Sequence, residues 1–118
     1  MSVVNYPKLA KELTRYTGDG ALAEVYAPDK DQVIVAVLVH LPSIGGASAG
    51  DVVVQLDDVE GAPFDTVLYT KTMDAAADAV YLPTRPLPLP KGSKLNISFD
   101  NTNALVYGVT VWAQDYRG

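Results

Sequence analysis

From residue 21 onward, apolar and polar positions alternate with a period of two, and turn-forming residues recur at 28–31, 42–50, 57–63, 74–78 and 83–92. Between them lie 22–27, 32–41, 51–56, 64–72 and 79–82. Short segments at this spacing predict the strands of an antiparallel sandwich or barrel. In 51–57, Val52, Val54 and Leu56 share one face and Gln55 takes the other. In 94–100 the alternation is complete, with Leu95, Ile97 and Phe99 inward and Lys94, Asn96, Ser98 and Asp100 outward. Residues 104–114 place Leu105, Tyr107, Val109, Val111 and Ala113 on one face and Val106, Thr110 and Trp112 on the other. The turn residues of 100–103 stand between these two runs, so 95–113 is predicted to be a long antiparallel hairpin that anchors the core. Gly108, within its second arm, predicts a bulge or the close approach of another backbone.

Three stretches depart from simple alternation. Residues 32–41 are apolar at both parities, which predicts a central strand covered on both sides, by an N-terminal helix or by a neighbouring subunit. Pro86, Pro88 and Pro90 alternate with Leu87 and Leu89, so this segment should run as an extended connection across the surface or along a sheet edge, with its leucines tucked under. At the N-terminus, Pro7 suits a first helical turn, Leu9, Leu13 and Tyr16 share a helical face, and 17–20 stop the helix. The alanine-rich 73–79 fits a helical turn or a loop. The expected architecture is therefore an arm and short helix over 1–20, then a single all-β domain over 21–118. That domain is an antiparallel β-sandwich of about seven or eight strands, jelly-roll or immunoglobulin-like, since both give the same alternation.

Composition narrows the function more than the fold. A chain of 118 residues, 48% hydrophobic and 19% charged, can bury a core without a metal or disulfide. It contains no cysteine, which removes disulfide, redox and thiolate-metal chemistry. The net charge is -5 and the nine Lys and Arg are scattered, which argues against nucleic acid as a partner. No apolar run approaches the length of a membrane helix, the longest being 33–39, and the N-terminus lacks the pattern of a secretion signal, so no membrane partner is expected.

The candidate chemistry is sparse. Gly46-Ala-Ser-Ala-Gly50 matches the spacing of a hydrolase nucleophile elbow, but a β-pattern follows it and the single histidine, His40, lies upstream. His40 has neither a second histidine nor a cysteine with which to hold zinc. The carboxylates Asp57, Asp58, Glu60 and Asp65 form the densest acidic loop, without EF-hand spacing. Asn96 opens a formal glycosylation sequon within a strand. The expectation is a protein that is not an enzyme and carries no cofactor. Its expected interaction surface comprises Val3 and Tyr6 of the arm together with Tyr69, Tyr81 and Trp112.

Residues 87–103, closing on Tyr107-Gly-Val-Thr-Val-Trp-Ala113, resemble the late strands of small β-sandwich virion proteins of tailed bacteriophages, of the capsid decoration or cement type. The resemblance implies a non-enzymatic protein, soluble before assembly, that binds the capsid surface, with the major capsid protein or another virion protein as partner, and that stabilises the shell as a homo-oligomer. A carbohydrate- or receptor-binding module using exposed aromatics is the alternative.

Overall fold

Alternation of branched and aromatic residues with polar ones sets nine strands in the computed structural model, which describes residues 13–115. They are β1 (Leu13–Gly18), β2 (Leu22–Tyr26), β3 (Gln32–His40), β4 (Asp51–Asp57), β5 (Thr66–Thr72), β6 (Asp78–Tyr81), β7 (Leu87–Leu89), β8 (Lys94–Phe99) and β9 (Tyr107–Asp115). A single 3-10 turn, Ala62–Phe64, interrupts them. No helix among the described residues is long and apolar enough to cross a membrane.

The strands form two antiparallel sheets. One runs β1-β9-β3-β6, with β7 also pairing β3, and the other runs β2-β8-β4-β5. The pairs β1 with β9, β2 with β8, β3 with β6 and β7, and β4 with β5 nest like one long ribbon folded over on itself. That nesting is the jelly roll, not the immunoglobulin order, because β1 and β2 lie in different sheets. Leu22, Val52, Val54, Leu95, Ile97 and Phe99 of one sheet face Ile34, Val37, Val39, Val109, Val111 and Ala113 of the other, each 2% exposed or less.

The predicted N-terminal helix is corrected over its described part. Leu13 and Tyr16 belong to β1, which pairs residue for residue with β9 from Leu13–Trp112 to Gly18–Tyr107. Alternate residues of this strand gain a sheet partner as well as a buried face, which a helix here would forgo. The earlier part of that helix and the arm lie outside the described residues.

The predicted hairpin over 95–113 is also corrected. β8 pairs with β2 and β4, whereas β9 pairs with β1 and β3. Both strands carry a fully apolar face, and two such faces bury more surface opposed across a core than side by side in one sheet. Gly108 hosts neither a bulge nor a close backbone: a Cβ there would meet nothing within 4 Å. The bulge falls instead on β3 at Val35, between the pairs Ile34–Ala113 and Ala36–Trp112. It resolves the double apolar parity of β3, whose inner face carries Ile34, Val37 and Val39 while Val35, Ala36 and Leu38 lie on the outer one.

The proline track behaves as expected. β7 lies on the sheet edge with Pro88 opposite Val33, and Leu89 is fully buried. Residues 74–77 form a loop between β5 and β6.

The crossing from β8 to β9 is anchored on its inner side by Asn101. Asn101 is buried with φ 51°, and its amide nitrogen donates to Gly20 O at 2.9 Å and Leu105 O at 2.8 Å. Its Oδ1 accepts from Leu105 N at 3.1 Å. Asparagine tolerates this left-handed backbone better than most residues. Asn101→Ala should strand three backbone groups and add backbone strain, lowering stability by about 2–4 kcal/mol in urea unfolding. Asn101→Asp keeps the acceptor for Leu105 N but turns a buried carboxylate oxygen toward Gly20 O and Leu105 O, so it should lose at least as much at neutral pH.

Candidate functional site

Among the described residues, the outer face of the five-stranded sheet is the broad apolar surface built from consecutive rows of paired strands. Cross-strand pairing places Leu13, Trp112 and Ala36 in one row, and Arg15, Thr110, Leu38 and Val80 in the next. A third row holds Thr17, Gly108, His40 and Asp78. The bulge turns Val35 outward beside Ala36, and Leu82 follows Val80 off the end of β6. Val35, Ala36, Leu38, Val80, Leu82 and Trp112 line a shallow depression of about 360 Å³. Val35, Val80 and Leu82 are 38%, 43% and 68% exposed. Apolar side chains with this exposure on adjacent strands form a contiguous patch, not isolated surface residues.

Polar groups rim the patch. His40 Nδ1 and Asp78 Oδ1 lie 2.5 Å apart across β3 and β6, both exposed. In the neutral tautomer with the proton on Nδ1, the imidazole donates to the carboxylate and fixes both side chains. Arg15 stands at the opposite edge, on β1.

Of the five residues expected to form the interaction surface, the three that are described do not converge. Val3 and Tyr6 lie outside the described residues. Trp112 is on the outer face of the five-stranded sheet, half-buried. Tyr81 sits opposite the inward Val37 and Tyr69 opposite the inward Val54, and both pack against the core. Their ring centroids are 6.0 Å apart with planes at 43°. The two tyrosines therefore bridge the sheets at one open side of the sandwich, so the expected joint platform with Trp112 is corrected. Val35, Leu38, Val80 and Leu82 accompany Trp112 there. The double apolar parity of 32–41 marks a second covered face on β3, but nothing in the sequence brings Val80 and Leu82 beside it.

The other motifs resolve into loop architecture. Ser48 is exposed in a turn closed by Ala49 N to Gly46 O at 3.2 Å, with φ 56°. Its own N–H donates to Asp74 Oδ2 at 3.2 Å, and β4 follows the motif. In the acidic loop, Asp65 Oδ1 accepts from Asp58 N at 2.7 Å and Asp58 Oδ1 from Glu60 N at 2.8 Å. These carboxylates close turns. Among the described residues no group of three or more His, Cys, Asp or Glu could hold a metal ion.

Four tyrosines on the inward side have phenols shifted upward from the usual 10.0. Burial is the leading cause for Tyr16, Tyr26, Tyr81 and Tyr107. Glu24 adds to the rise at Tyr16 and Tyr107. At Tyr26, bonds to Thr14 and Gln32 oppose it in part.

No family model matches the sequence, and no curated protein matches it. Among solved structures, the chain is similar to part of a ruminal GH26 endo-beta-1,4-mannanase, at TM-score 0.39 and 12% identity, over 87% of this chain and 19% of that one. It is similar to RmlC from Streptococcus suis in complex with dTDP-D-xylose, at TM-score 0.36 and 17% identity, over 95% and 49%. It is also similar to infectious bursal disease virus Gx strain, at TM-score 0.35 and 12% identity, over 88% and 32%. The chain thus spans between 19% and 49% of the length of these proteins. Similarity at this level carries no argument about function.

The tyrosines set a pH limit. A phenol whose folded value is raised above its unfolded one stabilises the fold fully below the unfolded value and loses that contribution as pH rises through the folded one. The urea midpoint should therefore hold from pH 8 to about 9.5 and fall above about 10. Unfolding curves across pH 8–11, with phenolate absorbance followed in parallel, check this.

Proposed function

We propose that the chain is a non-catalytic assembly module that joins protein chains, acting as a decoration-type component on the surface of a virion shell. The observation that carries this reading is the apolar outer face of the five-stranded sheet, rimmed by polar groups, on a domain whose candidate catalytic motifs are spent on turns. An apolar centre depleted of charge inside a polar rim is the anatomy of a protein–protein contact. The virion assignment draws on the resemblance of residues 87–103 and 107–113 to late strands of phage virion proteins, and the jelly roll is an architecture that capsid components use. Fold alone would not carry it, since lectin domains share that architecture.

The sugar-binding alternative has less support. Carbohydrate docks on an aromatic ring when carboxylates or amides beside it meet the hydroxyls, but the side chains that line the depression with Trp112 are Val35, Ala36, Leu38, Val80 and Leu82. Buried hydroxyls without such partners would be penalised.

Purified chain added to empty capsid shells of a tailed phage should co-sediment saturably and raise the temperature at which the shells open. Leu82→Asp places a charge on a residue already 68% exposed, so it should leave the melting temperature of the free domain almost unchanged while weakening shell binding at least about tenfold. A chain that ignores shells but is retained on immobilised glycans through Trp112 would falsify the assembly reading.

A further inference from the structure

We infer that the outer face of the five-stranded sheet pairs with the same face of a second copy of this chain, about a two-fold axis parallel to the strands. This rests on the reading of that face as a protein contact, and it names the partner.

The first argument is charge. The whole chain carries -5, so two copies repel one another over most of their surfaces. Among the described residues of the three rows that make up the face, the full charges are Arg15 and Asp78, which sum to zero. Like copies can meet at this face without that penalty.

The second argument is where those charges sit. Arg15 is on β1 at one edge of the sheet, and Asp78 is on β6 at the other, one row further along. Stacking two such faces about an axis parallel to the strands lays β1 of each copy over β6 of the other. Arg15 then faces the second copy's Asp78, and the same pair forms again by symmetry, as an isologous contact requires. The one-row offset is two residues, about 7 Å along a strand, within the reach of an arginine side chain. His40 already holds Asp78 on the surface. A two-fold axis perpendicular to the strands would instead lay like charges over one another, Arg15 near Arg15 and Asp78 near Asp78.

The third argument is shape. A shallow, twisted four-strand surface with an open gap at Gly108 fits another twisted sheet better than it fits a small molecule, and aligned sheets pack at about 30°. The footprint, four strands by about six residues, is roughly 19 by 20 Å. Two copies would therefore bury on the order of 750 Å², which suits a weak, reversible contact and not an obligate one.

Light scattering on the full-length chain, with sedimentation equilibrium from about 1 to 500 µM, tests this. The mass should rise from 12.6 kDa toward twice that value, and emission from Trp112, the sole tryptophan, should shift to the blue over the same range. Arg15→Asp and Asp78→Arg should each weaken self-association at least about tenfold. Mixed in equal amounts, the two variants should form a heterodimer. The introduced carboxylate of the first then meets the introduced guanidinium of the second, and the unchanged Asp78 of the first meets the unchanged Arg15 of the second. Wild-type chain that stays at 12.6 kDa throughout overturns the inference, and so does a mixture that fails to associate. A monomer that still binds shells through Leu82 would sink the self-pairing while leaving the assembly reading intact. A dimer that ignores shells would do the reverse.

Discussion

Two inward-facing apolar rows, one on β8 and one on β9, set the architecture. Leu95, Ile97 and Phe99 in one sheet share the core with Tyr107, Val109, Val111 and Ala113 in the other. Because these rows oppose one another instead of lying side by side, the segment between them must cross the end of the sandwich. Every other pairing follows from that crossing: β8 is left to bind β2 and β4, and β9 to bind β1 and β3. Burial of apolar surface supplies the stability, but it is non-directional. Direction comes from the hydrogen bonds that turn the chain at the ends.

Those turns are held by a few polar side chains, of which Gln32, Ser93 and Asn101 are buried. Asn101 joins the crossing loop to Gly20, while Asn103 donates to Gly45 O at 2.8 Å and Ala47 O at 3.1 Å. At the other end, Ser93 Oγ accepts from Val59 N at 2.9 Å. Gln32 accepts from Tyr26 and donates to Asp115 at 3.1 Å, and the same carboxylate meets Lys30 at 3.0 Å. Both ends of the sandwich are thus tied by side-chain contacts between loops distant in sequence. These amides and carboxylates tie the ends of the fold, apart from the apolar outer face of the five-stranded sheet.

That face owes its character to one inserted residue. Without the bulge at Val35, the inward set of β3 would continue from Ile34 to Ala36 and Leu38, and the outer face would receive Val37 and Val39. With it, Val37 and Val39 enter the core while Val35, Ala36 and Leu38 join Trp112 outside. A strand that is apolar at both parities thereby serves two environments, the shared core and an exposed apolar face.

Local alternation is enough to place most strands and to assign the inward residues of β4, β8 and β9, because side-chain direction in a strand has a period of two whatever the strand pairs with. The proline track is legible for the same local reason. Pairing is not legible. Inward rows look alike whether two strands share a sheet or face each other across a core, so the relation of β8 to β9 and the choice of a jelly roll are decided by tertiary packing. β1 reads as helix because Leu13 and Tyr16 satisfy a helical spacing, and only the free edge of β9 decides for the strand. Trp112 can be put on the outer parity from sequence, but its companions cannot. Tyr69 and Tyr81 turn inward by their partners on β4 and β3, and Val80 and Leu82 join Trp112 through strand order, which no local pattern encodes.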